Sequence, residues 1–170
     1  MEPAPNTSKG SIRWYDRALG NPDPEVRWNA IISLEEDRPR EMVLCLIKAL
    51  NDREFISIRW RAAIALGKTG DRSAVPALVD TLASDENDHV REEAAEALGI
   101  IGDDRAIDPL IQALHDPQRG VRLRAVKALE MIGERAEPAL QKTLGTGSAA
   151  VLTIVREILD TIEKRKERRS

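Results

Sequence analysis

Apolar residues along this chain keep to one face of a helix, and the pattern then starts again some thirty residues later. From Val90 they fall at i, i+4, i+8 and i+11, as Val90, Ala94, Leu98 and Ile101. That spacing is the buried stripe of an amphipathic helix. The opening position returns at Val26, Ile58, Val90, Val121 and Val151, and a late leucine returns at Leu34, Leu66, Leu98, Leu129 and Leu159. A shorter helix precedes each of these and closes on Leu19, Leu50, Leu82, Leu114 and Leu144. A fixed period of this length predicts stacked supersecondary units, each covering its neighbour's apolar face. Alternating β-branched runs with Asn-Gly turns are absent, so strands are not expected.

Punctuation agrees with the period. Gly70, Gly102 and Gly133 come just after the last apolar residue of a second helix and predict left-handed C-caps. Asp71, Asp103 or Asp104 can then cap the next helix, and Pro76, Pro109 and Pro138 sit in its first turn, where a missing N–H costs little. The first unit ends instead on Glu35-Glu36-Asp37-Arg38-Pro39, which predicts a shorter or differently terminated second helix. In the last unit Leu152 and Arg156 depart from the repeat, as suits a terminal helix facing water.

The segments VPALVDTL…VREEAAEALGIIGD and DPLIQALHDP…VRLRAVKALEMIGE resemble the HEAT-like repeats first associated with phycobilisome lyases, and the resemblance runs from about Ile12 to Ile162. It implies an all-α fold, a right-handed α-solenoid of about five antiparallel helix pairs. It also implies a ladder in which Arg27, Arg59, Arg91 and Arg122 meet an Asp two residues past the first-helix leucine. Asp52 and Asp116 occupy that slot; Asn21, Ser84 and Thr146 do not, which leaves the ladder incomplete unless Asp85 stands in. The expected organisation is a disordered segment over 1–10, the solenoid over 11–162 and a charged tail over 163–170.

Composition narrows the function. With 26 Lys and Arg against 29 Asp and Glu the formal net charge is -3, which disfavours nucleic acid as a partner. No apolar run approaches the 18 or more residues of a membrane span. Cys45 has no partner for a disulfide within the chain and no cleavable signal is legible, so a cytoplasmic location is expected. Cys45, between Leu44 and Leu46, reads as a small buried hydrophobe. His89 and His115 lie in turn segments just outside helices, without metal-ligand spacing. Neither begins a His-Glu pair, the dipeptide by which the related deoxyhypusine hydroxylases hold metal. No catalytic residue, metal or cofactor is therefore assigned.

The candidate site is the concave face. At about 100° per residue, positions +2, +3 and +6 after the opening residue turn away from the core stripe. They are Trp28, Asn29 and Ile32; Trp60, Arg61 and Ile64; Glu92, Glu93 and Glu96; and Leu123, Arg124 and Lys127. This face runs from apolar to acidic to mixed basic. Trp28 and Trp60 share a repeat position and predict an apolar strip on a normally polar surface, to be covered by a protein or peptide partner, by a second copy in a homodimer, or within the chain by the N-terminal segment folding back or the first helix tilting over it. The expected function is a non-catalytic interaction scaffold; the alternatives are an accessory chromophore-lyase-like protein and a HEAT-like nucleic-acid-binding enzyme.

Overall fold

The computed structural model describes residues 12–37, 43–146 and 148–168. Within them the helices pair as α1 (Ile12–Leu19) with α2 (Pro24–Asp37), α3 (Val43–Leu50) with α4 (Ile56–Thr69), and α5 (Val75–Ser84) with α6 (Asp88–Ile101). α7 (Ile107–Ala113) then pairs with α8 (Arg119–Ile132), and α9 (Glu137–Thr143) with α10 (Ala149–Glu167). The described residues contain no strand. The pairs stack into an all-α solenoid with one continuous core, to which Leu46, Ile58, Leu66, Leu78, Leu98, Leu110, Leu129 and Leu140 contribute fully buried side chains.

α2 corrects one expectation. It has 14 residues, the same length as α4, α6 and α8, so the acidic run does not shorten it. The turn that would terminate it, and the segment 1–10, lie outside the described residues. A second difference concerns α10, whose buried stripe is Val151, Val155, Ile158 and Ile162, leaving the expected Leu159 only half-buried. Gly70 and Gly102 take left-handed conformations (φ 66°, ψ 11° and φ 64°, ψ 34°). Gly133 has φ 70° but ψ -136°, and the chain passes straight into the 3-10 turn Gly133–Ala136.

Curvature is governed by residue size. A Cβ at Gly67 would lie 2.9 Å from Ala97 Cα, and one at Gly99 would lie 2.7 Å from Ala128 Cα. Small residues thus draw α4, α6 and α8 into close backbone approach, while α3, α5 and α7 meet sparsely. Between α5 and α7 a hollow of about 470 Å³ opens, lined by Val79, Leu82, Pro109 and Ala113 among others. A stack pinched along its second helices and open along its first helices bends toward the second, which makes their outward row the concave face.

The turns carry two sets of ion pairs. Asp103 is buried at the start of the 3-10 turn Asp104–Ala106, where it accepts from Arg105 Nε (2.9 Å), Arg105 Nη2 (3.0 Å) and the Arg105 backbone N–H (3.0 Å). The Arg105 side-chain hydrogen bonds, helped by the backbone one, hold its carboxyl at about 2. A carboxylate with a depressed folded-state pKa adds stability above its unfolded value, near 4, and loses it as pH falls toward 2. Asp103→Asn should therefore flatten the acid limb of a stability-against-pH curve between about pH 4 and pH 2. An acid limb of unchanged steepness would show that this contact does not control it.

Candidate functional site: the concave face

The arginine ladder fixes the second helices in register. Arg27 Nε lies 3.0 Å from Asp52 Oδ2, Arg59 Nε 2.7 Å from Asp85 Oδ2, and Arg91 Nε 2.8 Å from Asp116 Oδ2. Each arginine also donates to a carbonyl of its own turn: Asn21 O (2.6 Å), Asp52 O (3.1 Å) and Asp85 O (2.8 Å) respectively. Asp85 does stand in for the missing aspartate, one residue later than the pattern. Arg122 reaches only carbonyls, Asp116 O (2.7 Å) and Pro117 O (2.9 Å), because Thr146 occupies the next carboxylate slot. These arginines are consumed by structure, each held to its own turn and the first three also joined to the next unit.

The ladder leaves the +2, +3 and +6 positions to the groove. Trp28 and Ile32 are half-buried and pack against the core; Trp60, Arg61 and Ile64 are half-buried beside them. The two tryptophans do not form a bare apolar strip. The Arg61 guanidinium lies 4.8 Å from the Trp28 ring centroid and 5.2 Å from that of Trp60, so a cation bridges the two rings and part of their burial comes from within the chain. Asn29 is exposed at the outer edge of the row.

In the third and fourth units the face becomes charged. Glu92, Glu93 and Glu96 project from α6 and are half-buried. Glu96 pairs with Arg124 of α8, and the Glu92 carboxylate lies against Gly120 in the first turn of α8. Burial pushes the Glu93 carboxyl above the usual range; Arg124 opposes that shift, while Glu96 and Glu92 add to it. Leu123, 54% exposed, and Lys127, also exposed, complete the row. Two residues of this region were missed from sequence: Ile100 and Met131, each 48% exposed, at the +10 position of α6 and α8. Their signal was an apolar residue adjoining the core position Ile101 or Ile132, where the pattern alone had no reason to assign a second role.

Residues considered for chemistry are dispersed. His115 lies in a turn, whereas His89, expected outside a helix, is in the first turn of α6; both are exposed. Cys45 is buried, and burial first, then Asp16, pushes its thiol up against a smaller lowering from Lys48. Among the described residues no group of three or more His, Cys, Asp or Glu is placed to hold a metal ion. No helix among them is long and apolar enough to cross a membrane. The charged segment from Glu163 continues α10 to Glu167; Lys166 lies 2.6 Å from Glu137, and Arg165 lies 3.2 Å from Glu130.

Comparison with known proteins places this architecture. Among solved structures it is similar to the complex of CpcE and CpcF of phycocyanin lyase from Nostoc sp. PCC7120, with 27% identity and a TM-score of 0.69, covering 96% of this chain and 69% of that one. Human deoxyhypusine hydroxylase shares the fold at 23% identity and a TM-score of 0.58, over 89% of this chain and 73% of that one. Computationally designed armadillo repeat proteins for modular peptide recognition share it at 21% identity and a TM-score of 0.57, over 89% and 82% of the respective chains. A search among curated proteins gives no significant match. HEAT repeats match residues 13–99, 43–130 and 81–161, three overlapping windows that together reach all five helix pairs, and the chain belongs to the HEAT-repeat family.

Proposed function

We propose that this protein is a non-catalytic, cytoplasmic interaction scaffold that binds a protein or peptide partner through its concave face. One observation carries this reading: the second helices present a row of aromatic, acidic and basic side chains, most of them half-buried, that take no part in the arginine ladder. Concave surfaces of helical repeats bind by such rows, each unit supplying a few side chains at a fixed interval. The buried thiol of Cys45 and the separate, exposed positions of His89 and His115 give no nucleophile or general base set in a cleft.

Panning a random peptide library against the whole chain tests it. Selected peptides should lose binding to the Trp60→Ser and Glu93→Lys variants and keep it for Asp80→Lys, a change at an exposed position of α5. Peptides indifferent to the groove variants would sink the reading. Because Trp60 is half-buried and stacked on Arg61, Trp60→Ser should also cost about 1.5–2.5 kcal/mol, roughly half the loss for a fully buried aromatic. A larger loss in thermal melts would make Trp60 core rather than binding surface. A homodimer through the tryptophans would appear as a concentration-dependent mass in sedimentation that Trp60→Ser abolishes.

The likeness to the CpcE and CpcF complex supports a second reading, an accessory subunit for chromophore attachment. An absorbance shift when the chain is mixed with a bilin would favour it. The three glutamates of α6 oppose the nucleic-acid alternative, since they would repel a phosphate backbone laid along the groove.

A further inference from the structure

The groove has an order and an interval, and together they specify a partner. Packed helices lie about 8–10 Å apart. A polyproline-II segment has three residues per turn and rises about 3.1 Å per residue, so its residues i, i+3 and i+6 face one way about 9 Å apart. A β-extended segment alternates faces, and its same-side residues at about 7 Å intervals fall out of step with the helices. From α4 to α6 to α8 the groove offers Trp60, then Glu92 and Glu93, then Lys127.

Two of these charges have no ion-pair partner among the described residues. Glu96 is neutralised by Arg124, but Glu93 and Lys127 make no hydrogen bond or ion pair among the described residues. Glu93 is half-buried, and burial works against its charged form, as do Glu96 and Glu92; Arg124 and, less, His89 offset this only in part. A cation brought by a partner would supply what solvent does not. We propose that the concave face takes a polyproline-II-like peptide segment bearing an apolar, a basic and an acidic residue at intervals of three, its basic residue over Glu92 and Glu93 and its acidic residue toward Lys127. This rests on the concave-face reading above and adds the partner's chemistry and conformation.

The test uses three fluorescein-labelled proline-rich peptides and anisotropy titrations with the whole chain. One carries Leu, Lys and Glu at i, i+3 and i+6; one carries them at i, i+2 and i+4; one exchanges the Lys and the Glu. The first should bind at least tenfold more tightly than the others. Glu93→Gln, nearly isosteric, should weaken it about tenfold, and the charge-exchanged peptide should prefer a Glu93→Lys, Lys127→Glu variant. Equal binding of all three peptides, or no effect of Glu93→Gln, would overturn the proposal. Library peptides that depend on the groove yet lack this order would overturn it while leaving the scaffold reading standing; peptides that bind independently of the groove would overturn both.

Discussion

Asp85→Ala should lower the stability of the chain by about 3–5 kcal/mol, the loss seen when one partner of a buried ion pair is removed. Arg59 and Asp85 side chains are each 8% exposed, and the contact is bidentate, with Nε to Oδ2 at 2.7 Å and Nη2 to Oδ1 at 3.0 Å. Asp85 Oδ1 also accepts from the Asn87 backbone N–H at 2.9 Å, so the substitution strands a buried guanidinium and loosens the turn that starts α6. At about 2–4 °C per kcal/mol for a chain of this size, melting should fall by on the order of 10 °C. Asp104→Ala is the control: its pair with Arg135 is 65% and 49% exposed and should be worth no more than about 1 kcal/mol. Arg59→Met combined with Asp85→Ala should cost less than Asp85→Ala alone, because no buried charge is left unpaired. Equal losses for Asp85→Ala and Asp104→Ala would mean that the ladder is not what holds successive units in register.

Asp85 also shows what the sequence could and could not convey. The period, the helix pairs and the anchor leucines were legible because each depends on local spacing, which the helix converts directly into a buried face. Whether Asp85 replaces the missing aspartate is not written in the spacing, since one added residue in a turn can be absorbed or can misplace a side chain, and only the fold of that turn decides. Ile158 likewise takes the core place expected of Leu159 in α10, because the side of a helix that meets its neighbours, here α8 and α9, is decided by tertiary packing and not by spacing alone. The site was legible as a set of positions. Its electrostatics were not, because the bridging of Trp28 and Trp60 by Arg61 and the pairing of Glu96 with Arg124 depend on how far apart adjacent second helices sit.

Glycine and alanine set that distance, and enlarging one of them should be costly. Gly99→Ala should destabilise the chain by about 2–3 kcal/mol, although alanine is the better helix former by about 1 kcal/mol. The new Cβ would lie 2.7 Å from both Cα and Cβ of Ala128. The obstacle is backbone, so no rotamer change relieves it, and α6 must move away from α8. Gly99→Ala with Ala128→Gly should recover little of the loss, since the Cα of residue 128 still lies 2.7 Å from the new Cβ and a second helical glycine costs about 1 kcal/mol. Gly120→Ala is the counterpart: its new Cβ would meet only the carboxylate end of Glu92, which can swing aside, so its melting temperature should stay within a few degrees. Because spreading α6 from α8 also widens the step between Glu93 and Lys127, Gly99→Ala should weaken the i, i+3, i+6 peptide by more than its loss of folded protein explains. If Gly99→Ala were as stable as the parent chain, close approach of the second helices would not be what bends the solenoid.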